Sequence, residues 1–434
     1  MSFLPFVLIF TLLAPAPKGS AGSKGDWPQW RGPNRDGHST STGLLKTWPT
    51  EGPKLLWTFD TTGVGYGSPA VGNGHIFILG SDDPDKGIDE HLICLTEKDG
   101  KEVWRKPLNT EKGDYSYGWG SGPRSTPTID GEQVYALGAR GDLISFNATD
   151  GKVNWSRSLV KDFEGKIPIW GYSESLLIDG DKLLVTPGGS KGALLALNKK
   201  TGDPLWRCAE VKDAAGYSSV IVAQVGGIRQ YIQQSMSNVF GVSAKDGKLL
   251  WKRADIKYAV AVIPTPVFYK DHVFVTSGYN AGCALIKLTK DGDGIKADKV
   301  YANSSIVNHH GGVVQVGDYI YGHSDKGNNW VCLDFMKSDN PEGPEPTWRS
   351  NKLDKGSVSY ADGYLYCYGE SKGECVKVEA TADEWKESGR FTIPKKSKQP
   401  RRNGMIWAHP VIANGVLYLR DHEILFAFDV SASK

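Results

Sequence analysis

Short runs of alternating apolar and polar residues recur along most of the chain, each cut off by a glycine-containing turn. Thr126 to Trp155 reads TPTIDGEQVYALGARGDLISFNATDGKVNW. It holds an apolar run, a DG turn, an alternating run, a second turn, a third run, a DG turn and a last run ending in Trp. Ser175 to Trp206 and Ser68 to Trp104 repeat this order. Alternation with period two and hairpin chemistry at the joints predict four antiparallel strands per unit. Trp57, Trp104, Trp155, Trp206 and Trp251 are spaced 47, 51, 51 and 45 residues apart. That period suits the blade of a β-propeller.

Later units begin at Thr265, Val313, Ser357 and His409. The sixth has its last turn stretched by SDNPEGPEP ahead of Trp348. The last, HPVIANGVLYLRDHEILFAFDV, supplies three strands and no fourth. KLLWTFD, Lys54 to Asp60, has the ending of a unit without its front. The two fragments complete one another. The expectation is an all-β, eight-bladed propeller whose N-terminal strand completes the last blade, so that no edge is left exposed. Length alone would admit two to four domains, but the repeats make one ring.

The third and fourth strands carry a finer pattern. ALNKKTGDPLW, CLTEKDGKEVW, SFNATDGKVNW and GVSAKDGKLLW each have a small residue first, Gly seventh and Trp eleventh. The small residue leaves room for an indole, and the indole fills the space between blades. Cys94, and Cys332 in the matching VCLD, then read as small packing residues. This pattern resembles the tryptophan-docking repeat of the PQQ-like β-propellers, which include quinoprotein alcohol dehydrogenases and the BamB-like assembly propellers. The resemblance covers roughly Leu55 to Val430. DWPQWRGPNRDG, WGYSES, NHHGGVVQVGDYIYGHSD and WAHPVIANG look like a family of secreted bacterial PQQ-like repeat proteins. The resemblance is specific for fold and much less so for function.

Composition narrows the partners. Lys plus Arg total 51 against 49 Asp plus Glu, a formal net charge of +2. No basic stripe of the kind a nucleic-acid binder carries is present, so no nucleic acid is expected. The run KKSKQPRR, Lys395 to Arg402, reads as a solvated loop. The six cysteines include no CxxC and no adjacent pair, so metal-site spacing is absent. Cys367 and Cys375 flank the turn ESKG, which leaves a cross-strand disulfide open in an oxidising compartment. Phe3 to Ala14 is apolar, too short to span a bilayer, and followed by PAPKGSAGS. It reads as a signal peptide cleaved near Ala16 or Ala21, with a buried N-terminal strand as the alternative. The expected layout is a leader over 1–21, an extended segment over 22–54 and the propeller over 55–434. Residue Cys94 is the first cysteine, so no lipid-anchor cysteine is expected. The expectation is a monomer, periplasmic or secreted, without a transmembrane or lipid anchor.

Candidate chemistry gathers in the segments that lead into each innermost strand, because these rise over one face of the disc. They supply Tyr66; Trp119 and Arg124; Trp170, Tyr172 and Glu174; Tyr217; His309 and His310; and Trp407 and His409. Polar groups converging on an aromatic floor suit a small-molecule site. The plainer alternative is that these aromatics plug the channel. Glu174 stands where other units carry Pro69, Pro127 and Pro266. A buried carboxylate needs a partner, and Arg124 is the one the sequence suggests. A structural tie and a catalytic or metal-binding role both remain open. Adjacent residues of a strand face opposite ways, so His309 and His310 would offer one imidazole to the channel, not two to one metal. DGDG at Asp291 has part of a calcium loop but reads as a turn.

The expected function is a ligand- or protein-binding scaffold whose partner, a protein, glycan or small molecule, meets the funnel face or the DWPQWRGPNRDG segment. That segment is expected to lie extended over the disc. The alternative implied by the resemblance is a periplasmic quinoprotein dehydrogenase using PQQ and calcium on an alcohol or sugar. The adjacent cysteines typical of those enzymes are missing, and no Asp stands out as a base. Glu174 is a conceivable calcium ligand, with Trp170 or Trp407 as a stacking floor. A BamB-like assembly role is less favoured without a lipid anchor.

Overall fold

The structure, a computed structural model, describes residues 25–83, 89–108, 115–256, 260–337, 339–401 and 403–432. The apolar run read as a leader lies outside them. Eight four-stranded antiparallel sheets form among the described residues, and no helix. Blades 1 to 7 span Ala70–Pro107, Thr128–Ser158, Leu177–Arg207, Ile221–Arg253, Val267–Asn303, Val313–Ser350 and Gly356–Thr392. Blade 8 takes three strands from Val411–Asp429 and its outermost strand from Lys54–Phe59, with Lys54 opposite Asp429 and Phe59 opposite Leu425. The first strand of the fold is therefore the last of the ring. The Asp291 stretch forms the hairpin turn between Gly282–Asp291 and Gly294–Asn303.

The register explains the repeated small residue. Cys94, Ser145, Ala196 and Gly241 each lie directly opposite Trp104, Trp155, Trp206 and Trp251, and Cys332 lies opposite Trp348. The seventh-position glycine has a second duty. A Cβ on Gly100 would come within 2.5 Å of Trp57, on Gly151 within 2.8 Å of Trp104, and on Gly202 within 2.7 Å of Trp155. Each glycine thus receives the indole of the blade before it. Trp104 Nε1 then donates to Ala148 O and Trp155 Nε1 to Lys199 O, both on the following blade.

Cys367 and Cys375 do not form a disulfide, and all six cysteines are free and buried. The register places Cys367 opposite Val376, and Cys375 opposite Tyr368. Their side chains leave opposite faces of the sheet and enter different cores.

The N-terminal segment does not lie over the disc. It enters the central channel. Innermost strands expose a row of backbone groups to the axis, and these need partners. Residues 25–39 hydrogen-bond at or beside every blade, to backbone groups at all but the fifth. Trp27 bridges Val71 of blade 1, and Ile129 N of blade 2 donates to Pro28 O. Arg35 donates to Ser175 O and Leu176 O beside blade 3 and to Val220 O beside blade 4, at 2.8–2.9 Å. Trp30 Nε1 donates to Thr265 Oγ1 beside blade 5, and Arg31 donates to Val313 O of blade 6. Ser39 N donates to Tyr360 O of blade 7, and its hydroxyl to Ile412 O of blade 8. Gly25 N donates to Thr40 Oγ1, so the ends of this excursion meet and Trp30 stands near its tip. Burial pushes the Arg31 guanidinium down to about 10 and that of Arg35 to about 9. The chain then leaves past Leu44, which bridges Ser431, and Trp48, which packs on Phe391, before joining blade 8.

Candidate functional site

Above the plug lies a cup of about 390 Å³. Its walls come from the segments that lead into the innermost strands and from the turns between second and third strands, which share one face. Nine of the eleven expected residues line it: Tyr66, Trp119, Arg124, Trp170, Tyr217, His309, His310, Trp407 and His409. Trp30, from the plug, lines it as well.

Rings on one side form a ladder. Tyr279 meets His309 at 4.6 Å between centroids, His309 meets His310 at 3.7 Å, His310 stacks on Trp407 at 4.1 Å, and Trp407 meets Tyr66 at 4.9 Å. Both imidazoles therefore reach the cup, contrary to the expectation that one would turn away. The alternation rule does not apply, because the innermost strand begins only at Val313 and the histidines precede it in irregular backbone. Burial holds the rings neutral: it lowers His309 to about 4 and His409 to about 3, and takes His310 well below the usual range. Lys355 reinforces this for His309. Its ammonium donates to His309 Nδ1 at 3.2 Å and pairs with Asp325 at 2.8 Å.

Tyr172 and Glu174 do not line the cup. In the extended stretch after Gly171, Ser173 and Ser175 face the cup while Tyr172 and Glu174 point away from it. The Tyr172 hydroxyl donates to Pro187 O at 2.9 Å. The Glu174 carboxylate accepts from Thr186 N, from Thr186 Oγ1 at 2.8 Å and from Gln233 Nε2 at 3.2 Å. Burial pushes Glu174 up to about 7, against these hydrogen bonds and the nearby charge of Arg35. The expected Glu174–Arg124 pair is not formed. Arg124 donates instead to the carbonyls of Gly120, Gly122 and Trp170.

A sequence profile described as outer membrane protein assembly factor BamB matches residues 88–340, more than half of the chain. The chain belongs to this BamB family of PQQ-like repeat propellers. It is 23% identical over 249 residues to the outer membrane protein assembly factor BamB of Shewanella oneidensis. That match spans 52% of this chain and only 58% of the relative. BamB from Moraxella catarrhalis superimposes with a TM-score of 0.56 at 13% identity, over 85% of this chain and 95% of that one. The quinohemoprotein alcohol dehydrogenase from Comamonas testosteroni superimposes with a TM-score of 0.61 at 11% identity, over 95% of this chain and 82% of that one. Likeness at such identities is a likeness of fold.

The quinoprotein resemblance implies PQQ with calcium, and the cup's donors can be compared with that demand. Calcium takes six to eight oxygen ligands, carboxylates prominent among them. Among the described residues the cup is lined by a single carboxylate, Glu370, which burial pushes up to about 7. Among the described residues no group of three His, Cys, Asp or Glu side chains is placed to hold a metal. Glu174, the residue the sequence offered for calcium, is turned away. The donor set does not fit the calcium ion of such a pair.

Several cup residues escaped the sequence reading. Trp30 belongs to a stretch read as surface packing. Glu370 and Tyr279 sit in turns between second and third strands, and Lys355 in a lead-in without aromatics. The blade geometry carried a usable signal, since those turns open on the same face as the lead-ins.

Proposed function

We propose that this BamB-family propeller is an extracytoplasmic binding module that takes a small molecule into its aromatic cup, rather than an enzyme. The observation that carries this reading is the cup itself. Its volume falls in the range of small-molecule sites, roughly 300–1,000 Å³, and aromatic walls with a few polar groups are the usual lining of such sites. Trp119 and Tyr279 remain 49% and 44% exposed at its mouth, where a ligand would cover them. The plug supports the same reading, because it converts an open channel into a closed floor. The alternative, a scaffold for a protein partner, draws on the assembly role in the relatives' names. A quinoprotein role would need metal ligands that the described residues of the cup do not supply.

The test is a fluorescence and thermal-shift titration of the purified protein with sugars, small carboxylates, and PQQ with and without calcium. Saturable quenching that disappears in Trp170→Ala supports the reading. Failure of every compound, with a protein partner cross-linking to the rim instead, refutes it. Turnover of an alcohol with PQQ would favour the dehydrogenase.

A further inference from the structure

Among its described residues the cup holds a charge that its own walls do not balance. Arg124 is partly buried, with its guanidinium 5.2 Å from the centre of the Tyr66 ring. Three of its five N–H bonds go to backbone carbonyls at 3.0–3.2 Å, two from Nη1 and one from Nη2. The carbonyls fix the plane of the group without neutralising it. Among the described residues its Nε–H and second Nη2–H have no acceptor, and no carboxylate lies within ion-pair distance. Lys355, the other cation on the wall among the described residues, is already paired with Asp325. The histidines are neutral and Glu370 is only partly ionised near neutral pH. A planar guanidinium held at one edge and free at the other suits a carboxylate bound through two parallel hydrogen bonds.

The surroundings of Arg124 select the rest of the ligand. Its three anchoring carbonyls belong to the two loops that carry Trp119 and Trp170, and both indoles line the same cup. Polar groups share the cup wall with the aromatic rings: the Ser173 hydroxyl, the Asn403 carboxamide and the Glu370 carboxyl. The Ser173 hydroxyl already donates to Gly171 O and the Asn403 amide to Gly118 O, but a plain aromatic acid would still desolvate the Asn403 carbonyl oxygen and the Glu370 carboxyl without offering them a donor. A pyranose presents C–H groups on its faces and hydroxyls around its edge, matching such a mixed wall. A neutral sugar, however, would cover the partly buried Arg124 and leave its charge unbalanced.

We infer that the cup receives a carboxylated sugar ring of the uronic acid class, its carboxylate on the free edge of Arg124 and its ring face against Trp119 or Trp170. This rests on the reading of the cup as a small-molecule site.

The experiment is calorimetric titration of the full chain with three probes: methyl glucuronoside, methyl glucoside and benzoate. The expected result is saturable binding of the glucuronoside, with the glucoside and benzoate at least tenfold weaker. Arg124→Gln should lower glucuronoside affinity tenfold or more and abolish the preference over glucoside. Because Arg124 also braces two loops, Trp119→Ala is the companion variant. It removes a half-exposed side chain and should weaken both sugars alike while leaving the melting temperature unchanged. Equal binding of glucoside and glucuronoside would overturn the acid assignment, and benzoate binding as well as the glucuronoside would overturn the sugar. In either case the cup would stand as a small-molecule site. Binding of none of the three, alongside an occupant found in the wider panel, would sink the inference alone. No occupant at all would remove both.

Discussion

Trp155 and Gly202 touch across the junction of blades 2 and 3, where a Cβ on the glycine would lie 2.7 Å from the indole. The glycine also has φ +72°, a conformation that side chains rarely adopt. Gly202→Ala therefore combines a clash with backbone strain. It should cost at least about 1 kcal/mol, measured as a lower urea midpoint. The same change at Gly180, a turn glycine at φ +62° with open space around it, separates the two effects, since strain alone acts there.

Arg35 ties the plug to blades 3 and 4 through three carbonyls. Arg35→Ala leaves Ser175 O and Val220 O buried without this donor, at roughly 1–3 kcal/mol each, while Leu176 O keeps the Thr128 hydroxyl at 2.7 Å. Arg35→Lys should rescue little, because an ammonium cannot span a fork of acceptors. Both variants should release the plug, read as faster proteolysis near residue 30 and as increased iodide quenching of the cup tryptophans.

Glu174 gives a pH signature. Its folded value, about 7, lies above the ordinary carboxyl value of 4.5. The folded state therefore binds its proton more tightly than the unfolded chain. That contribution is complete below pH 4.5 and is lost as pH rises to about 7, on the order of 3 kcal/mol in all. Glu174→Gln cannot titrate. Relative to wild type, the variant should look worse at pH 5 than at pH 8, and parallel stability curves across that range would contradict the assignment.

The cysteines should be silent. All six are buried, and burial pushes the thiols of Cys94 and Cys283 up to about 12. A thiol reagent at pH 7.5 should label none in the native protein and all six after unfolding without reductant. Fewer than six would reveal a disulfide.

Much of the fold was legible because its information is local. Strand alternation, DG and NG turns, and the small–Gly–Trp spacing each lie within one unit, and repetition made them readable in register. Ring closure followed from arithmetic, three strands at one end and one at the other. The site was legible less evenly. Lead-in segments marked the face that carries the cup and nine of its lining residues, yet Glu174 drew attention for its position and proved to face away. One step of alternation separates it from Ser173 and Ser175, and irregular backbone before a strand hides that phase, as it did at His309 and His310.

The sequence by itself determined the blade, the count of eight and the Trp–Gly docking, because hydrophobic period and turn chemistry act between near neighbours. The fate of Trp27 to His38 was decided only in three dimensions. Nothing in DWPQWRGPNRDG says that eight strands spread from Ala70 to Ala413 will present unpaired backbone groups to one axis. The closed ring creates those acceptors, and only then do Arg31 and Arg35 have a reason to enter the channel and set Trp30 as the floor of the cup.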